Sequence, residues 1–358
     1  MSAINIILAR SPYQVVINES SQIKTKVELR LWNKGGSRPT SPTYIMSEGI
    51  ASVTQIETNY NISPFVLEFI DKYKLQYSTT GVIQAGDKEW CIGEYARYYT
   101  INGIEWIKLD ETSFCAVNGF SEVQRGYNFN TAQGNPYKLL ANPEIKVLWS
   151  DAIPYYNFIC KDRDDSYTAD WYDKSNGLVY TETFYTGVND FFNYAIPLVI
   201  SISVKLVIKS NNYGVIYTIY TEEICEPTYP INRIWFVNNY GGWNHFAFFK
   251  ASYNSIDIKN SDYSLMQRDI DYDFRRGQTK PFNINGTQTL KLNTGWVEEN
   301  IFEWVQNMML SDTVVYELNQ IPVTVKTTSM QKKIYLKDKN INYTIEFDFA
   351  NKLLNNIV

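Results

Sequence analysis

From Val27 to Trp32 the chain alternates apolar and polar residues, and this period of two predicts a strand with one buried and one wet face. Val15-Val16-Ile17 before it, and Tyr44-Ile45-Met46 and Val53-Thr54-Gln55-Ile56 after it, predict further short strands around a breaker-rich loop at 33–42. Asn61-Ile62-Ser63-Pro64 changes the pattern. Ser63 at the N-cap and Pro64 at the first helical position predict a helix carrying Phe65, Leu67, Phe69 and Ile70. Strands are predicted again at Trp90-Cys91-Ile92, from Tyr95 to Ile101, and at Glu105-Trp106-Ile107. Gly93 separates the first two, and Asn102-Gly103 between aromatic runs is a hairpin signal for the last two.

The polar stretch from Gly119 to Asn142 reads as a linker or long loop. A second β-rich block follows, with strands at 146–149, 178–180, 201–208 and 213–220. Glu226-Pro227-Thr228-Tyr229-Pro230 marks a further boundary. Beyond it come a strand–turn from Arg233 to Trp243 and a second aromatic strand from Phe246 to Phe249. Trp296 to Leu310 carries apolar residues at helical spacing, and the end returns to strands at 321–325, 333–336 and 342–349. No fixed-period self-similarity suggests a solenoid or propeller. The expectation is a mainly β protein in three parts: two immunoglobulin-like β-sandwich domains, at 1–125 with a helical insertion and at 126–226, and a C-terminal α+β domain at 227–358 with one clear helix.

Composition supports folded domains, since 358 residues at 44% hydrophobic and 20% charged carry enough apolar surface to offset ordering entropy. Aromatics at 15% strengthen the β reading. A net charge of −5 argues against a protein whose affinity comes from neutralising phosphates. The single histidine, His245, excludes a His-rich metal site and any mechanism that needs two imidazoles. Cys91, Cys115, Cys160 and Cys225 form no CxxC pair, so they read as free thiols in a reducing cytoplasm. Neither a basic n-region before the first apolar run nor an apolar stretch of roughly 18 residues is present, so no secretory signal or membrane span is expected.

Candidate chemistry is sparse. Asp269-Ile270-Asp271-Tyr272-Asp273 opens like a calcium loop, but Phe274 and Lys280 stand where that loop needs Gly and a bidentate Glu. This run and Asp162-Arg163-Asp164-Asp165 read as solvated turns with local ion pairs. Two acids suffice for glycoside hydrolysis, but nothing in the sequence pairs any two. There is no Gly-x-Ser-x-Gly elbow and no phosphate-binding glycine loop with Lys. His245, among Trp243, Phe246 and Phe248, reads as packing. No catalytic, cofactor-binding or metal-ligating residue is expected. The aromatics remain, as large rigid groups that suit interfaces and β cores alike. Trp171-Tyr172, between Asp170 and Asp173, reads as an exposed pair or as an ordinary strand end. Tyr240-Gly241-Gly242-Trp243 reads as a tight turn. Trp171, Tyr172, Trp235, Tyr240 and Trp243 are the candidate interface residues.

Several loose patterns together carry a family likeness. Ser11-Pro12-Tyr13-Gln14-Val15, Val27 to Trp32, Tyr60 to Phe65, Arg233 to Trp243, and Leu290 to Trp296 followed by Ser311 to Tyr316 resemble tail ring proteins of crAss-like phages that infect Bacteroidetes. The likeness spans most of the chain, apart from roughly 146–224. It implies a non-enzymatic virion protein, made in the host bacterial cytoplasm and built into the tail between the portal and the distal tail. The implied partners are identical copies in a closed ring following the portal's twelve-fold symmetry, the portal itself, other tail ring or distal tail proteins, and genomic DNA or ejected proteins in transit. An acidic lumen would let DNA pass by like-charge repulsion. The alternative is a carbohydrate-binding, receptor-binding module of a phage or gut bacterium, with Trp171, Tyr172 and Trp243 as sugar-stacking platforms. A glycan hydrolase is a third possibility.

Overall fold

A computed structural model describes residues 5–33, 36–50, 55, 57–70, 83–84, 90–121, 128, 146–149, 155–160, 166–185, 192–197, 200, 202–211, 214–223, 229–266, 273, 275, 277–298, 301–318, 321–325 and 340–354. The fold is mainly β, and the described residues contain two helices. Its residues cluster into two compact units. One comprises 1–224 with 236–245 and 310–312, and the other 225–235, 246–309 and 313–358. Residues 225 and 226 belong to the second unit and the rest of 1–226 to the first.

The first unit is organised by a five-stranded sheet of β1 (Asn5–Leu8), β3 (Lys24–Trp32), β4 (Tyr44–Gly49), β7 (Trp90–Thr100) and β8 (Ile107–Val117), in the order β1-β8-β7-β3-β4. In β3, Thr25, Val27, Leu29 and Leu31 are buried in strict alternation, as the pattern predicts. Val27, Leu29 and Leu31 join Cys91, Phe114 and Ala116 in a core shared with Val15 and Ile17 of β2 (Gln14–Ile17), Tyr60 of β5 (Thr58–Asn61), and Val66 of α1 (Ser63–Phe69). β1 adds in parallel to β8 and splits its apolar residues between faces. Ile7 enters that core, while Ile6 and Leu8 pack with Trp90, Cys115 and Val117 on the other side.

Three local expectations change. α1 is capped at Ile62, not Ser63, because the Ser63 hydroxyl fastens the segment before β2: it accepts from the Tyr13 amide at 2.9 Å and donates to the Ser11 carbonyl at 2.6 Å. Gly93 does not end a strand. β7 runs through it, with Gly93 opposite Phe114 in β8. The Asn102-Gly103 hairpin forms, but 105–106 belong to its turn, where the Asn102 side chain accepts the amides of Ile104 and Glu105 at 2.9 Å.

The same unit contains a second five-stranded sheet, ordered β12-β11-β14-β15-β9, from β9 (Lys146–Trp149), β11 (Ser166–Tyr172), β12 (Leu178–Tyr185), β14 (Lys205–Ser210) and β15 (Gly214–Glu223). Tyr167, Ala169 and Trp171 alternate into its core, and Leu206, Ile208 and Ile219 are buried with them. A smaller sheet pairs β13 (Phe192–Pro197) with β10 (Tyr155–Cys160) and β6 (Ile83–Gln84).

A further sheet has seven strands, in the order β17-β16-β20-β21-β22-β19-β18. Its strands are β16 (Asn232–Val237), β17 (Trp243–Phe248), β18 (Tyr253–Ser264), β19 (Thr279–Glu298), β20 (Val314–Tyr316), β21 (Ile321–Val325) and β22 (Asn340–Phe349). Ile341, Tyr343, Ile345 and Phe347 alternate inward on β22, and Phe347 meets Phe248 edge-on at 5.9 Å. The predicted helix begins later than expected, as α2 (Ile301–Leu310), because Trp296, Val297 and Glu298 are held in β19 against Asn342, Ile341 and Asn340. Ile301, Trp304, Val305 and Met308 form its buried face at i, i+3, i+4 and i+7. The strand expected at 333–336 lies outside the described residues. No helix among the described residues is long and apolar enough to cross a membrane.

Candidate functional site

The candidate aromatics separate by burial. Trp171 is 0% exposed and packs on Tyr180 with ring centroids 5.4 Å apart. The flanking acid does not mark a surface: Asp170 is buried, accepts from the Thr181 hydroxyl at 2.7 Å and pairs with the Lys209 ammonium at 2.6 Å. The exposed Trp171–Tyr172 platform is therefore not formed. Tyr172 is half-buried at the strand end, with the Lys205 and Lys209 ammoniums 4.6 and 5.8 Å from its ring centre. Hydrogen bonds to Asp170 and Tyr172 raise the Lys209 pKa.

Trp235 and Trp243 are also buried, so neither offers an open indole face in this chain. Tyr240 is half-buried and packs on the Ile6, Leu8 and Trp90 cluster. Residues 238–242 form a tight turn in which the Asn238 side chain accepts the amides of Tyr240 and Gly242 at 2.8 and 3.0 Å. Gly241 has φ +81°, and a Cβ there would lie 2.8 Å from the Asn118 amide nitrogen. His245 is buried as well. Among the described residues, no group of three or more His, Cys, Asp or Glu side chains is placed to hold a metal ion. The run 162–165 lies outside those residues, as does 269–272.

The surface that stands out is one the sequence patterns do not flag. β18 and the first part of β19 form a hairpin arm in which all twelve residues of β18, and Thr279 to Ile284 of β19, are exposed. β22 pairs with β19 only from Thr289 to Glu298, so the arm extends past its neighbour as a two-stranded ribbon. The C-terminal segment fastens its base. Leu353 donates its amide to the Gly286 carbonyl at 2.9 Å, and Leu354 exchanges hydrogen bonds with the Asn285 side chain.

Between Lys259–Asn285 and Ser261–Phe282, two steps on β18 match three on β19, so β19 carries the bulge, with Asn283 at φ +53°. β18 remains the regular strand and forms the outer edge of the sheet. Ile256 and Ile258 share one face; Asp257 and Lys259 share the other, with Lys259 Nζ 3.8 Å from Asp257 Oδ2. Farther out, Tyr263 meets Phe282 edge-on at 5.7 Å. An exposed edge with apolar side chains is a template for strand addition.

No family model matches the chain, and no curated protein matches it. Among solved structures, it is similar to a chain described as "Biofilm associated protein - BSP domain", at 9% identity and a TM-score of 0.17. That match covers 82% of this chain and 63% of the other, so the chain spans less than two thirds of its length. At that TM-score the likeness carries no argument about fold or function.

Proposed function

We propose that the protein is a structural virion subunit, assembled as a homo-oligomeric ring in a phage tail between the portal and the distal tail, where it encloses the ejection channel. The observation that supports an assembling role is the arm. Tyr253, Ile256, Ile258, Tyr263, Met266 and Phe282 stand exposed on it or at its end. Their open surface is on the order of 700 Å², close to the roughly 800 Å² that each partner gives to a standard interface. A two-stranded ribbon with that surface in water is marginal alone and gains stability when another chain covers it. The tail location and twelve-fold ring follow from the family likeness, and cyclic closure needs a second, complementary patch on each copy.

The alternative is a carbohydrate-binding module. Its stacking platform would use exposed indoles such as Trp296, 69% exposed on β19, in place of the buried Trp171 and Trp243. Mass by light scattering, negative-stain imaging and a glycan array test the two together. Closed rings of one size, alone or on addition of the portal, are expected. A species that stays monomeric with the portal and is retained by specific glycans would replace the ring with the binding module.

A further inference from the structure

The outer strand of the arm, Tyr253-Asn254-Ser255-Ile256-Asp257-Ile258-Lys259-Asn260-Ser261-Asp262-Tyr263, carries partly mirrored residues about Ile258. Tyr253 mirrors Tyr263, Ser255 mirrors Ser261, and Asp257 and Lys259 are opposite charges at mirrored positions, while Asn254 mirrors Asp262 and Ile256 mirrors Asn260. β18 is regular, exposed along its whole length and paired on one side only. We propose that β18 is the site of a two-fold contact, in which it pairs antiparallel with β18 of a second copy about an axis at Ile258.

In that register each Ile258 faces its own symmetry mate, and Ile256 lies diagonal to Ile258 of the second copy, so four isoleucines form one apolar stripe. On the other face Asp257 stands opposite Lys259 of the second copy, twice. Ser255 stands opposite Ser261, and Tyr253 opposite Tyr263. The contact extends the seven-stranded sheet across the axis and satisfies backbone groups that the edge leaves to water.

Competing registers are penalised by the same residues. An axis at Asp257 sets that carboxylate against itself, and an axis at Lys259 does the same to the ammonium. The half-step registers would pair side chains from opposite faces, which a regular antiparallel ladder does not form. The self-complementarity of the charges is what selects a second copy as the partner over an unrelated strand. The inference rests on reading the arm as an assembly element and is independent of ring closure, because a two-fold contact is isologous and cyclic closure is not. If rings form through other surfaces, the arms join copies from different rings.

The test uses the full chain in a concentration series by sedimentation or light scattering. Asp257→Lys or Lys259→Asp alone sets like charges opposite each other at both symmetry-related pairs, and is expected to weaken self-association on the order of tenfold. The double exchange, Asp257→Lys with Lys259→Asp, restores it. Ile258→Cys is expected to oxidise to a covalent dimer, because residues facing each other across such an axis lie within disulfide reach. Ile256→Cys, which would face Asn260 of the second copy, is expected to stay largely uncoupled. Three results would each overturn the contact: a wild-type chain that does not self-associate, single variants that associate like wild type, or a double exchange that fails to recover. Equal coupling by the two cysteine variants would overturn the axis. Images answer the ring question separately, since an intact charge-exchange pattern without rings removes the ring and leaves the two-fold.

Discussion

Gly93 gives the sharpest test of how the first sheet is packed. A Cβ at that position would lie 2.1, 2.4 and 2.8 Å from the Cζ, Cε2 and Cε1 atoms of Phe114. Carbon atoms in contact settle at roughly 3.5–4.0 Å, so Gly93→Ala requires the ring to move by more than an ångström. Phe114 is 0% exposed and has Tyr95 beside it at a centroid distance of 6.2 Å, which leaves it little room. Overpacking of this kind costs about 1–3 kcal/mol. Removing a glycine from the unfolded chain offsets about 0.4–1 kcal/mol where the backbone accepts Ala. The expected net loss is about 1–2 kcal/mol. Phe114→Leu removes the obstructing ring at its own cost, so the double variant should be more stable than the sum of the singles by about 1 kcal/mol. Urea unfolding followed by far-UV circular dichroism and tryptophan fluorescence measures this. With two compact units the curves are fitted as two transitions and the one that moves is read. A Gly93→Ala chain with the wild-type midpoint, or strict additivity with Phe114→Leu, would refute the packing argument.

Two further outcomes follow from the same unit. Gly241→Ala combines a positive φ with a Cβ 2.8 Å from the Asn118 nitrogen, whereas Gly103, at φ +76°, has open space around it. Gly103→Ala should cost about 1 kcal/mol and Gly241→Ala clearly more, so equal shifts in melting temperature would contradict the close approach. The Asp110 carboxyl is held below its ordinary pKa chiefly by the hydrogen bond from Arg97, across the β7–β8 pair. A pKa depressed on folding contributes stability above the unfolded value, near 4, and that stability is lost as pH falls through the lower folded value. Asp110→Asn should therefore flatten the acid limb of the stability–pH curve, and parallel curves for variant and wild type would count against the pair.

Much of the fold is visible in the residue pattern because it is local. β3 alternates strictly, the Asn102-Gly103 turn carries its own hydrogen bonds, and α2 shows its buried face at helical spacing. What the pattern hides depends on partners distant in the chain. Gly93 reads as a break until the Phe114 ring is seen in the space its missing side chain leaves. Ser63 reads as a cap until Ser11 and Tyr13 claim its hydroxyl. Acids beside Trp171 suggest water, yet Asp170 is satisfied by Thr181 and Lys209, and the indole turns inward with Tyr167 and Ala169. The arm was the least legible element. Ile256 and Ile258 are isolated among Ser, Asp, Lys and Asn, a composition that suggests a loop, and only its pairing with β19 makes it an edge. The usable signal is the pair of opposite charges at Asp257 and Lys259 about Ile258, with Tyr and Ser repeated farther out, which hydrophobic periodicity does not register.

The parallel docking of β1 on β8 sets a timetable during synthesis. Asn5 to Leu8 leave the ribosome well before Phe114 to Val117, the residues they bond. At about 5–20 residues per second, the intervening stretch of about 100 residues takes on the order of 5–20 s to translate. Throughout that interval the Ile6-Ile7-Leu8 run has no sheet to join, because its place is created only when the β7–β8 hairpin closes. The nascent chain thus carries a sticky leading strand past every other growing copy on the same message. Slowing translation between β1 and β8 would lengthen that exposure, and a holding chaperone acting on the leading strand would have its greatest effect on yield within this window.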